Sequence, residues 1–112
     1  MSTDQKIIAL ADEYIALADV YDAGWEAFPD IDSDDKEALA RFSAEHDQQS
    51  DRMDEIEAAI KDMTPTTLPG FAAKAAVGMR VMRMHHEKDD ELDSTFDIVA
   101  SLCRALMAAA GR

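Results

Sequence analysis

The stretch LARFSAEHDQQSDRMDEIEAAIKDM, Leu39 to Met63, decides the fold. Within it Leu39, Phe42, His46, Gln49, Met53, Ile56, Ile60 and Met63 follow alternate steps of three and four. That spacing returns to one face of an α-helix turn after turn, whereas a strand would scatter the same side chains over both faces. Two of the eight positions, His46 and Gln49, are polar. The stripe therefore predicts one long helix packed along its length, with a buried polar layer that fixes register.

The flanking segments extend the same pattern. Ile7, Leu10 or Ala11, Tyr14, Leu17 or Ala18, Tyr21, Trp25 and Phe28 fall on one helical face behind a Ser2-x-x-Gln5 capping box. Pro29 stops that helix because it has no backbone donor to offer. The long helix opens at Ser33 or Asp34, where Asp34 and Glu37 have capping-box spacing, and closes at Thr64-Pro65. Thr67 caps a third helix, with Pro69 in its first turn and Phe71, Ala72, Ala75, Met79 and Met82 as its stripe. Asp89 or Asp90 caps a fourth, with Leu92, Phe96, Val99, Leu102, Cys103 and Leu106 inward and a frayed end through Ala108, Ala109, Ala110 and Gly111. Four helices at about 4–28, 34–63, 68–86 and 90–110 with short joints predict an all-α fold. The expected architecture is an antiparallel up-down four-helix bundle in one domain, 1–112. Its long first helical hairpin should project beyond the bundle or meet a second subunit.

Charge narrows the function. Eleven Lys and Arg against 24 Asp and Glu give a formal net charge of −13, which repels a phosphate backbone and argues against direct nucleic-acid binding. The single Cys103 has no intrachain disulfide partner and sits in an apolar run with Ile98, Val99, Leu102 and Leu106, as a small core hydrophobe would. Asp4, Asp12, Glu13, Asp19 and Asp22 interrupt any apolar leader, so neither an export signal nor a membrane span is expected, and a cytoplasmic location is. From Leu68 to His86 there is no acidic residue, while Lys74, Arg80 and Arg83 are basic. This marks a central helix against which acidic neighbours pack.

No catalytic signature emerges. Asp30, Asp32 and Asp34 begin like a calcium loop, but Asp35 stands where the turn needs glycine and Arg41 where it needs a bidentate carboxylate, which leaves helix capping. A di-iron bundle requires Glu-x-x-His pairs, and the residues three before His46, His85 and His86 are Ser43, Met82 and Arg83. The remaining candidate metal ligands are His46 and the cluster His85, His86 and Glu87, followed by Asp89, Asp90 and Glu91. No nucleophile–base pair, phosphate loop or metalloprotease motif is present, so neither enzyme activity nor a cofactor is expected.

The segment Thr64-Pro65-Thr66-Thr67-Leu68-Pro69-Gly70-Phe71-Ala72-Ala73-Lys74-Ala75 resembles one found in small uncharacterised bacterial helical proteins of mobile-element and prophage neighbourhoods. In those proteins a long acidic helix leads into a similar elbow, and the resemblance rests on Pro65, Thr67, Gly70 and Lys74. It implies an all-helical protein with no assigned activity. Read as residues, Pro65 closes one helix, Thr67 caps the next, Gly70 permits close packing and Lys74 follows one turn later with its charge free.

These features predict a non-enzymatic helical interaction protein, a homodimer or the binder of another protein, with Ile8, Ile15, Trp25 and Phe28 as its contact surface. Two other readings stay open. One is an acidic mimic of nucleic acid that binds a basic protein through Asp12, Asp19, Asp22 and Glu26; the other is a metal-binding helical bundle.

Overall fold

The structure, a computed structural model, describes the backbone of residues 1–86 and 94–112 and the side chains of these except 84–86 and 94–98. It contains α1 (Thr3–Ala27), α2 (Lys36–Lys61), α3 (Leu68–His86) and α4 (Ser94–Ala109), with a 3-10 turn at Phe28–Asp30. The fold is an all-α bundle. α1 packs along both α2 and α3, and α3 packs along α4. No helix among the described residues is long and apolar enough to cross a membrane.

Local chemistry sets the helix ends. Ser2 and Gln5 form the reciprocal capping box of α1, with Gln5 N donating to Ser2 Oγ at 3.2 Å and Ser2 N to Gln5 Oε1 at 3.0 Å. Pro29 sits in the 3-10 turn that ends α1. The start of α2 differs from expectation: its cap is Asp35, whose Oδ1 accepts from Ala38 N. The reason is a turn around Asp32, which accepts from Asp34 N on its side chain at 2.9 Å and from Asp35 N on its carbonyl at 3.0 Å. That turn holds Ser33 and Asp34 out of the helix. The last helix does not fray. Arg112 N reaches Met107 O and Gly111 N reaches Ala108 O, with Gly111 at φ 75°, so a Schellman motif closes α4. The expected caps Asp89 and Asp90, and Leu92, lie outside the described residues.

The core joins Ile7, Ala11, Tyr14 and Ala18 of α1, Met53, Ile56 and Ile60 of α2, and Ala73 and Val77 of α3. The seam read from the sequence holds along α2, since Met53, Ile56, Ile60 and His46 are buried and Leu39, Phe42, Gln49 and Met63 half-buried. On α3 the stripe is different. Ala72, Ala73, Ala75, Ala76 and Val77 are buried, while Phe71 is exposed. An alanine face lets α3 approach its neighbours closely, and the Phe71 ring would hold them apart. α4 likewise turns Ala100 inward and leaves Val99 and Leu102 exposed. α2 and α3 are successive but do not pack along each other as α1 does on both. Between them runs a groove of about 350 Å³ lined by residues such as Ile60, Lys61, Val77, Val81 and Met82.

Candidate functional site

The two ends of α1 carry the polar and aromatic side chains that merit attention, and they are built differently. At the first, the elbow between α2 and α3 closes on Asp4. Thr67 N and Oγ1 donate to Asp4 Oδ2 at 2.8 and 2.5 Å, and Thr66 N and Oγ1 each donate to Oδ1 at 3.1 Å. The Thr67 hydroxyl is the largest influence holding the Asp4 carboxyl below its ordinary range, and the Thr67 and Thr66 backbone donors add to it against the opposing effect of burial. Thr67 also accepts from Gly70 N through its hydroxyl, at 3.3 Å, as the N-cap of α3.

Gly70 and Lys74 complete the elbow. A Cβ on Gly70 would overlap the Asp4 carboxylate, so the glycine makes room for it. Lys74 was expected to carry a free charge, and it does not: Nζ donates to Met63 O at 2.9 Å and to Lys61 O at 3.2 Å. Its ammonium caps the carbonyl end of α2, where the helix dipole favours a cation. Each residue of this segment therefore works on a helix boundary.

At the opposite end, the tip of the α1–α2 hairpin, next to the connection between the two helices, holds an aromatic cluster around His46. The His46 ring stacks on Phe42 at 4.0 Å between centroids, with Tyr21 at 4.8 Å and Trp25 at 5.1 Å. Phe28 joins Trp25 and Phe42 at 5.6 and 4.9 Å. His46 is buried, with Nε2 3.2 Å from the Tyr21 carbonyl oxygen and Nδ1 3.3 Å from that of Phe42. Carbonyls only accept, so the ring nitrogen that carries the proton donates to the carbonyl it faces. Gly24 makes the approach possible, because a Cβ there would lie 2.8 Å from Nε2 and closer still to Cε1. Gln49, the other polar seam residue, has a buried Oε1 with no hydrogen-bond partner among the described residues.

The cluster opens into a cleft of about 390 Å³ whose wall includes Tyr21, Trp25, Phe28, Phe42, His46 and Asp47. Trp25 is 48 % and Phe28 38 % exposed. The same α1 stripe that is fully buried at Ile7 and Tyr14 thus ends in aromatic surface. Ile8 and Ile15, expected on one contact surface with Trp25 and Phe28, lie elsewhere: both are half-buried against the core, and Ile15 lies beneath the end of α4 beside Met107 and Arg112.

The remaining predicted sites resolve as follows. His85 and His86 are in α3, where only the backbone is described, and Glu87 lies outside the described residues. Among the described residues no group of three or more His, Cys, Asp or Glu side chains is gathered as a metal site. Of the carboxylates proposed as a phosphate-like row, Asp12 pairs with Arg112, and Asp19 and Asp22 pair with Arg80 at 2.9 and 2.7 Å. Burial opposes the Arg80 charge, and the bonds to Asp22 and Asp19 outweigh it and raise the guanidinium pKa. Burial pushes the Cys103 thiol up, which leaves it a poor nucleophile. Asp4 and Gly24 were not singled out in the sequence, and each matters through a partner far along the chain. Comparison with protein-family models, curated proteins and solved structures found no match for this chain.

Proposed function

We propose that this chain is a non-enzymatic helical interaction protein whose contact surface is the aromatic tip of the α1–α2 hairpin. The observation that carries the reading is the exposure of Trp25 and Phe28 over a cleft walled by Phe42 and His46. Aromatic side chains anchored on a rigid helical frame are the residues on which protein interfaces concentrate their energy. At the elbow the polar groups are satisfied within the chain, and the exposed Leu68 and Phe71 flank them without an aromatic cluster of the kind around His46.

A second copy is one occupant of that surface, because a dimer would cover both rings. Trp25 is the only tryptophan of the chain, so its emission reports on the cleft alone. In the dimer, light scattering shows mass rising with concentration and Trp25 emission shifts to the blue; the mass increase vanishes in a Trp25→Phe, Phe28→Ser variant that stays helical, and the blue shift vanishes in Phe28→Ser, which keeps the tryptophan. A strictly monomeric species at tens of micromolar removes the dimer.

A further inference from the structure

Resting on the reading that the aromatic hairpin end is the contact surface, we infer that its occupant is an arginine-bearing basic segment of a partner protein. Residues 22–47 hold nine carboxylates against two bases, Lys36 and Arg41, more than half of the chain's net charge of −13. Glu26, Asp30, Asp34, Glu37, Glu45 and Asp47 are exposed, and no ion pair joins any of them to a base among the described residues. A second copy would bring this charge against itself. A cationic segment would be attracted to it.

The rings select the kind of cation. A guanidinium is planar and weakly hydrated, stacks on aromatic faces and meets carboxylates with paired N–H donors, whereas an ammonium is a compact, strongly hydrated point charge. The exposed rings of Trp25 and Phe28 supply faces, and Asp47 on the cleft wall supplies an acceptor beside them. The chain's own use of the cluster has the same chemistry. His46, a flat nitrogen ring, stacks on Phe42 and points both nitrogens at carbonyl oxygens. An arginine side chain laid over Trp25 and Phe28 would repeat that arrangement one layer further out.

The test uses two synthetic probes of equal length and charge, hexa-arginine and hexa-lysine, titrated into the full chain while Trp25 emission is followed, with calorimetry as a second readout. The expected result is binding of hexa-arginine at least about fivefold tighter than hexa-lysine, weakening steeply with salt as screening grows. Phe28→Ser should bring hexa-arginine down to the hexa-lysine level, and Asp47→Asn should weaken it without altering helicity by circular dichroism. Equal affinity for both peptides, untouched by Phe28→Ser, would show bulk charge attraction only and overturn the arginine assignment. If neither peptide perturbs Trp25 while the chain dimerises through its aromatic end, the assignment falls and the contact surface stands. If Trp25 responds neither to peptide nor to protein concentration, both fall.

Discussion

The elbow and the hairpin tip lie at opposite ends of α1 and both depend on a glycine that makes room for a polar side chain. Gly70 admits Asp4, and Gly24 admits His46. At the elbow four donors meet one carboxylate and an ammonium caps the preceding helix, so every group has its partner inside the chain. At the tip the polar group is equally enclosed, but the rings that enclose it face outward. The contrast separates two uses of an interior polar residue. One fixes how helices join, and the other shapes a surface from behind.

The largest expected effect breaks the elbow. Asp4→Ala leaves two backbone N–H groups and two hydroxyls without their acceptor, and the thermal midpoint should fall by more than about 10 °C. Gly70→Ala should produce much of the same loss by driving the carboxylate out. The gain in helix propensity, about 1 kcal/mol, is too small to offset it. Because both changes remove one interaction, the double variant should be far less damaged than the separate losses added together, which thermal melts of the three proteins would establish. Full additivity would mean that Gly70 serves something other than Asp4.

The same carboxylate predicts a pH dependence. Its folded pKa is depressed below the ordinary value of 3.8, so the unfolded chain binds the proton more readily. The stability it contributes is present above that value and is lost as pH falls through the folded pKa. Acid melts of the wild type should therefore steepen below about pH 4, and Asp4→Asn should remove that component. An unchanged acid limb in Asp4→Asn would assign the loss to other carboxylates.

Gly24→Ala comes next and sharpens the contrast. It expels His46 from its place between the Tyr21 and Phe42 carbonyls, with an expected loss of about 1–3 kcal/mol, net of the propensity gain. Its signature is local: Trp25 emission should move strongly while the cooperative melt stays single. Gln49→Leu should act in the opposite direction and raise stability by about 1 kcal/mol, since it removes a buried acceptor that has no partner among the described residues. The smallest change in stability belongs to Phe28→Ser at the exposed rim, within about 1 kcal/mol in a denaturant melt, although its effect on binding should be the greatest of all.

Much of the architecture was legible in the sequence because it is periodic and local. The seam from Leu39 to Met63, the Ser2 and Gln5 cap, and Thr67 as a cap each depend on residues within a turn or two. The start of α2 was misplaced because several neighbouring aspartates satisfy the same capping rule, and the Asp32 turn decides among them. Phe71, Val99 and Leu102 looked like core because they are large and apolar, but alanine faces set the spacing of α3 and leave them outside. The site followed the same division. Trp25 and Phe28 were visible as aromatic load at a helix end. The Asp4 to Thr67 contact was not, because nothing local to Asp4 distinguishes it from other first-turn acids until α3 is in place.

The contacts of Asp4 with Thr66 and Thr67 span 62 and 63 positions of sequence, which bears on the order in which a growing chain can make its contacts. The α1–α2 hairpin needs only chain already made, and its Arg52 to Glu13 and Tyr14 to Glu57 pairings can form while α3 is still unwritten. Once Thr67 emerges, the carboxylate fastens the beginning of α1 to the beginning of α3 and sets the two helices side by side in the same direction. Asp4 thus ties the first turn of the chain to a cap made more than sixty residues later, and no partner nearer in sequence supplies those four donors.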